Sequence, residues 1–315
     1  MNYITVKQFF EENKKDLHLK ILTGKENLES KKIVVSDINR PGLALAGFFD
    51  YFPYERIQVF GKTEFAYLKK QKKEQILNVL KKFFSSKICC VIVARNLKVD
   101  PYFIELADKY EVPVLQTSLF TMKLINSAMT YLEKKLAPKI TLHGTFIDVY
   151  GIGVLLFGKS GIGKSEISLE LVKRGHRLIA DDLVEILKLG DSELIGRGIN
   201  IVQHHMEIRG IGIIDLKSLF GIGVIREQQK VELVIFLEEW ENDKDYERLG
   251  LEEKFENILG IKVPKIVLPV KPGRNLSIII EVAAMMRRLK DQGHNTAKEL
   301  NKTIINWMKR EKKDV

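Results

Sequence analysis

The sequence predicts an α/β protein of two domains. An N-terminal α/β domain with a parallel-type sheet spans 1–133, and a C-terminal α/β domain built on a phosphate-binding loop spans 134–315. Three observations carry this. A chain of 315 residues is long for one core and suits two domains of ordinary size. Its first half alternates strand-like runs with helix-period pieces, the pattern of parallel strands joined by crossover helices. Its second half places the apolar run GVLLF before GKSGIGKS and the helical stretch SEISLELVKRG, the strand–loop–helix context of a P-loop.

The N-terminal elements follow in order. TVKQFFEENKK (5–15) has helical spacing, and KIVVSDI (32–38) and RIQVFG (56–61) are rich in β-formers. YLKKQKKEQILNVLKKFF (67–84) carries apolar residues at helical intervals, so one amphipathic helix with its lysines as a solvated face is expected. ICCVIVA (88–94) reads as a strand, YFIELADKY (102–110) as a helix and VPVLQT (112–117) as a strand. FTMKLINSAMTYLEKKLA (120–137) reads as a long helix ended by Pro138. Adjacent cysteines Cys89 and Cys90, placed in a strand, point to opposite faces and read as small core residues rather than a disulfide or metal pair.

Composition excludes several classes. Hydrophobic content of 45% and charged content of 29% are globular values. The N-terminus MNYITVKQFFEENKK has early acidic residues and no apolar core before a cleavage site, so no secretion signal is expected and the cytoplasm is the expected location. Apolar runs stop far short of the roughly 18 residues that a membrane-spanning helix needs, so no membrane association is expected. The net charge of +10 raises the question of nucleic acid, but the lysines are scattered rather than clustered, and nucleic acid is not expected as a partner.

In the second domain, KITLHGTFIDVYGIGVLLFG (139–158) predicts two or three strands with turns at Gly144 and Gly151. NLSIIIEVAAMMRRLKDQG (275–293) predicts a helix whose apolar stripe includes Ile279, Val282, Ala283 and Met286, closed by Gly293. TAKELNKTIINWMKR (296–310) predicts a last helix.

The phosphate loop comprises Gly158, Lys159, Ser160, Gly161, Ile162, Gly163, Lys164 and Ser165. Its glycines let backbone N–H groups turn inward toward phosphates, with the helix N-terminus adding a favourable dipole. Lys164 is placed to reach the β and γ phosphates, and the Ser165 hydroxyl to hold Mg²⁺. Two carboxylate pairs compete as the catalytic partner. HRLIADD (176–182) ends a strand in Asp181 and Asp182, and VELVIFLEEW (231–240) ends another in Glu238 and Glu239, the more usual position in a water-activating ATPase. Spacing alone leaves both open.

Beyond spacing, the string GKSGIGKSEISLELVKRGHRLIADDLVEI resembles the HPr kinase/phosphorylase family. So do LHG upstream of it, MEIRGIGIID (206–215), YERLGL (246–251) and PVKPGRNLSIIIEVAAM (269–285). The resemblance makes 134–315 a P-loop kinase domain and implies an enzyme that uses ATP or pyrophosphate, with Mg²⁺, to phosphorylate a serine of the phosphocarrier protein HPr. It implies the reverse as well, phosphorolysis by inorganic phosphate giving pyrophosphate, in control of carbon catabolite repression. Carried over by motif, the catalytic residues fall on His143, Lys164, Asp182 and Arg248, with Asp181 the near neighbour and Ser165 and Glu207 on Mg²⁺. The stretch Met206, Glu207, Ile208, Arg209, Gly210, Ile211, Gly212, Ile213, Ile214 and Asp215 is implied for both reactions. Pro269, Val270, Lys271, Pro272, Gly273 and Arg274 are implied for dephosphorylation. A homohexamer and regulation by fructose 1,6-bisphosphate are also implied. Lys159 departs from the family, which has an acidic residue there; because backbone N–H groups form the cradle, the change is expected to alter local charge and donor preference rather than abolish activity.

The chemistry asks for these residue types. A positioned carboxylate that accepts the serine proton suits Asp182, and reversibility has the same group return it. Lys164, Mg²⁺ and Arg248 neutralise charge on the transferred group. Arg209 and Arg274 are candidate bidentate phosphate donors. His143 next to a carboxylate would be favoured as imidazolium and tune Asp182. His204 and His205 lack a third ligand at useful spacing, so no zinc is expected. A hydrolytic ATPase using Glu238 or Glu239 and a nucleotide-responsive binding protein are the competing functions. With no guanine-specificity element in view, a GTPase ranks last.

Overall fold

The computed structural model describes residues 3–199, 205–244, 246, 253–294, 296, 298–300 and 303–304. The chain folds as two units, Met1–Ala137 and Pro138–Val315.

The first unit is a five-stranded sheet in the order Leu19–Thr23, Val114–Thr117, Val91–Val93, Ile57–Phe60, Ile38–Asn39. The pairs among the last four strands are parallel, and Leu19–Thr23 joins antiparallel at the edge. Both faces are apolar because helices cover both. Val59, Ile92 and Leu115 pack toward Phe9, Leu124 and Leu132, while Phe60, Val91 and Val93 pack toward Leu80, Phe83 and Phe103.

Three expectations need correction in this unit. KIVVSDI is not one strand but two two-residue pieces, Lys32–Ile33 and Ile38–Asn39, of which the first pairs with Ile4–Thr5. The stretch 67–84 is not one helix. Lys62–Lys69 and Lys73–Ser85 are separate, with Gly61 and Lys72 as N-caps, although Lys69, Lys70, Lys72, Lys73, Lys81 and Lys82 are solvated as expected. Cys89 and Cys90 precede the strand, which starts at Val91, so they do not alternate between faces. Both are free thiols buried in one apolar cluster.

The second unit has a six-stranded sheet ordered Arg177–Ala180, Thr145–Val149, Ile152–Gly158, Leu233–Glu239, Ile261–Val270, Lys254–Ile258. Ile152–Gly158, Leu233–Glu239 and Ile261–Val270 run parallel, and the remaining pairs are antiparallel. One face packs on helices Lys164–Lys173 and Leu276–Asp291 through Leu156, Leu171, Ile235, Leu237, Ile280 and Ala284. The other face packs through Phe146, Leu155 and Val234 on an antiparallel sheet ordered Gln228–Lys230, Glu193–Gly198, Leu183–Leu189, Lys139–His143. A hairpin, His205–Ile208 with Gly212–Asp215, leads into the short helix Leu216–Phe220.

The apolar stripe expected on 275–293 is displaced. Leu276, Ile280, Ala283 and Ala284 are buried, whereas Val282 and Met286 are 44% and 45% exposed and Ile279 is only partly covered. The helix is apolar nearly all round, so periodicity alone did not pick the buried side. Glu281 sits on that buried side because it is paired, as described below. The helix expected over 296–310 lies largely outside the described residues. Among the described residues, no helix is long and apolar enough to cross a membrane.

Candidate active site

Parallel strands aim their carboxyl ends at one rim, which is where open α/β sheets bind ligands. Register places Gly158 opposite Leu237, and Leu237 opposite Leu268. The phosphate loop, Glu238 and Glu239, and the stretch 269–274 therefore leave the sheet along the same edge. On the other side, Leu156 faces Thr145 and Ala180 faces Phe146, bringing Thr145, Asp181 and Asp182 to that edge too.

The loop is held by glycine geometry. Gly161 and Gly163 have φ of 81° and 99°, values that side chains with a Cβ rarely adopt. A Cβ on Gly161 would also lie 2.5 Å from Nη1 of Arg209, so the hairpin arginine packs against the loop. Lys164 donates from Nζ to the carbonyl oxygens of Gly158 (3.0 Å) and Lys159 (3.1 Å). It is thus folded back over the loop it is expected to serve. Lys159 itself is exposed and contributes its backbone oxygen, not its side chain, to that contact.

The two aspartates have different surroundings. Asp181 is buried; it accepts hydrogen bonds from Ser165 Oγ at 2.9 Å and from Thr145 Oγ1 at 2.6 Å. Burial pushes its carboxyl above the ordinary range, against the opposing pull of those two hydroxyls. Asp182 is exposed and takes a left-handed φ of 64°. Its backbone oxygen accepts from Gly144 N at 3.1 Å, and strand pairing sets His143 opposite Leu183, so the exposed His143 lies one register position from Asp182.

Among the described residues, Ser165 Oγ and Asp181 supply hard oxygen donors at the foot of the loop, a set that suits Mg²⁺. Glu207 is exposed on the hairpin, opposite Ile213. Within the hairpin Met206 and Ile208 are buried, Ile214 packs on the core, and Arg209, Gly210, Ile211, Gly212 and Ile213 are exposed. Asp215 caps the next helix, accepting from Lys217 N and Ser218 N and from the Ser218 hydroxyl, which hold its carboxyl below the usual range.

In the second stretch Pro269 is buried, Val270 accepts from Trp240 N at 3.1 Å, and Lys271, Pro272, Gly273 and Arg274 are exposed. Lys271 Nζ stands 5.0 Å from the centre of the Trp240 ring, and Arg274 Nη1 donates to Pro269 O at 3.1 Å. Glu238 is tied to Lys244 at 2.7 Å, and its Oε1 is buried with no hydrogen-bond partner among the described residues; Glu239 is exposed. His205 begins the hairpin. Arg248 and His204 lie outside the described residues.

Sequence reading missed three supporting residues and a partner. Thr145 follows the LHG motif directly and anchors Asp181 while fully buried; its signal was a hydroxyl beside a motif histidine. Past the end of the loop helix, Arg174 binds Glu281 through both carboxylate oxygens (2.9 and 2.6 Å), and buried His176 reaches the same carboxylate at 2.9 Å. This cluster fastens the loop helix to Leu276–Asp291. Hydrogen bonding from Arg174 holds the Glu281 carboxyl down to about 2. No sequence pattern announces it, since Glu281 lies more than a hundred positions from Arg174 and His176.

Comparison with known proteins covers most of the chain. A family model described as HPr Serine kinase N terminus matches residues 4–132, and one described as HPr Serine kinase C-terminal domain matches residues 134–304. A protein named HPr kinase/phosphorylase from Caldanaerobacter subterraneus subsp. tengcongensis is 51% identical over 291 residues, which are 92% of this chain and 95% of the relative. One of the same name from Leptospira biflexa is 46% identical over 295 residues, 93% of this chain and 91% of the relative. The solved structure of the Hpr(Ser) kinase/phosphatase from Coxiella burnetii is 39% identical with a TM-score of 0.47, over 51% of this chain and 98% of that one.

Proposed function

This chain belongs to the HPr serine kinase family, and from that premise we propose that it transfers a phosphoryl group from ATP or pyrophosphate to a serine of HPr. We further propose that it removes that group by phosphorolysis. The observation that carries the reading is the division of labour between the aspartates: Asp181 is buried and bonded to Ser165, while Asp182 is exposed beside it.

In the forward direction Asp182 accepts the serine proton as the serine oxygen bonds to the terminal phosphorus and the donor's bridging P–O bond breaks. In the reverse direction an oxygen of inorganic phosphate attacks, the serine P–O bond breaks, and Asp182 returns the proton to the serine oxygen, giving pyrophosphate. Lys164 exchanges the carbonyls of Gly158 and Lys159 for phosphate oxygens and neutralises their charge. Arg209, packed on the loop at Gly161, is in position to add a second cation. His143 tunes Asp182 from the adjoining strand. Arg248 and the stretch 269–274 enter the proposal from the family resemblance. Ser165, backed by Asp181, and Glu207 would hold Mg²⁺, which when bound supplies neutralisation of the donor's phosphate charge. A homohexamer, fructose 1,6-bisphosphate as effector and a role in carbon catabolite repression complete the proposal.

The test mixes the protein with HPr, labelled ATP and Mg²⁺, then adds excess phosphate. Label on an HPr serine, followed by its loss with release of pyrophosphate, supports the reading. Free labelled phosphate at the same rate with or without HPr would instead identify a hydrolase working through Glu238 or Glu239.

A further inference from the structure

The positive charge of the chain is concentrated in one unit. Residues 1–137 contain 23 Lys and Arg against 15 Asp and Glu, a net +8, whereas residues 138–315 contain 28 against 26, a net +2. The phosphoryl-transfer chemistry uses none of that surplus. Much of it is spread over the solvated faces of Lys62–Lys69 and Lys73–Ser85, but at one place it lines a concavity. A pocket of about 240 Å³ is bounded by Lys31, Lys32 and Lys87, with Tyr54, Glu55 and Cys89.

Like the helix lysines, these three make none of the ion pairs found among the described residues of this unit. Two features distinguish them from the solvated faces of Lys62–Lys69 and Lys73–Ser85. Lys32 is set in place by a cation–π contact, its Nζ 4.1 Å from the centre of the Tyr3 ring. Lys87 follows the end of Lys73–Ser85 with φ of 56°, a left-handed position where glycine would be unstrained and a lysine carries a backbone cost.

We infer that this pocket binds a small phosphate-type polyanion, in a site separate from the phosphate loop. Cations lining a concave wall focus the potential inside it, and lysine binds phosphate as a point charge. The pocket is smaller than the roughly 300–1,000 Å³ of sites for drug-sized ligands, which suits a compact anion. Glu55 is the one acid of the lining, so the wall keeps a net charge of +2 and favours a ligand with at least two negative charges. A duplex nucleic acid asks instead for a basic strip that follows its backbone.

The experiment is calorimetric titration of the whole 315-residue chain with inorganic tripolyphosphate in a Lys164→Ala background, where the phosphate loop is weakened. Adding Lys31→Ala and Lys87→Ala is expected to weaken the remaining binding at least tenfold. Adding Lys73→Ala and Lys81→Ala, two exposed lysines outside the pocket, is expected to change it less than twofold. The inference is overturned if no binding remains in the Lys164→Ala protein, if the pocket pair leaves it unchanged, or if both pairs weaken it equally. It is also overturned if a 20-base-pair duplex binds in a pocket-dependent manner while tripolyphosphate does not. Circular dichroism of each variant and a Lys31→Gln/Lys87→Gln protein, which keeps side-chain bulk, separate loss of charge from loss of fold.

Discussion

Ser165 donates its hydroxyl hydrogen bond to Asp181, at 2.9 Å, while Asp182 next in sequence stands exposed in a left-handed backbone conformation. Two adjacent carboxylates thus have opposite surroundings, the difference on which the proposed division of labour rests.

Separating the pair by mutation follows directly. Asp182→Asn is expected to lower transfer to HPr by about 10²- to 10⁴-fold, the usual worth of a positioned general base, with nucleotide affinity nearly unchanged. Asp181→Asn is expected to raise the Mg²⁺ concentration for half-maximal rate by about 10- to 100-fold, since it removes the partner of the Ser165 hydroxyl proposed to hold the metal. Steady-state kinetics over a Mg²⁺ series reads both. Equal effects of the two variants on rate and on metal dependence would contradict the division of labour.

Asp181 also makes a stability prediction. Burial raises its folded pKa, so the folded state holds this proton more tightly than the unfolded state. The stability linked to it is present at low pH and lost as pH rises through the raised value. Asp181→Asn escapes that loss, so at pH 7 in the absence of ligand its Tm should exceed that of the wild type, with the gap closing as pH falls toward about 4. Thermal melts across this range check the sign.

The Glu281 cluster has the opposite sign. Its carboxyl is held down to about 2 from an ordinary 4.5, so its contribution is complete above the ordinary value and is lost as pH falls through about 2. Glu281→Ala leaves buried His176 and half-exposed Arg174 without their shared partner and should cost about 3 kcal/mol. That corresponds to a drop of roughly 6–12 °C in Tm for a unit of this size. A Tm unchanged at pH 7 would show that the cluster does not fasten the two helices.

A fourth prediction tests the loop itself. In Gly161→Ala the new Cβ would fall 2.5 Å from the Arg209 guanidinium, at a φ of 81° that disfavours any side chain. Nucleotide affinity should fall by about tenfold or more, given a backbone strain of about 1–3 kcal/mol. Gly153→Ala in the strand before it is more severe, because its Cβ would sit 1.8 Å from the Lys230 carbonyl oxygen. That protein is expected to be insoluble or to melt far below the wild type.

The sequence by itself determined the α/β alternation, the phosphate loop between its strand and helix, and the family. These rest on local periodicity and on residue types at fixed spacing, which the chain carries without folding. Tertiary structure decided which aspartate is buried, because that depends on Thr145 arriving from a neighbouring antiparallel strand. It decided which side of Leu276–Asp291 faces the core, since a helix apolar nearly all round has no preferred face until a sheet and a buried ion pair choose one. It also gathered Lys31, Lys32 and Lys87 around one pocket, over fifty positions apart in the chain. Spacing reports contacts within an element; contacts between elements are fixed only by the packing that closes the core.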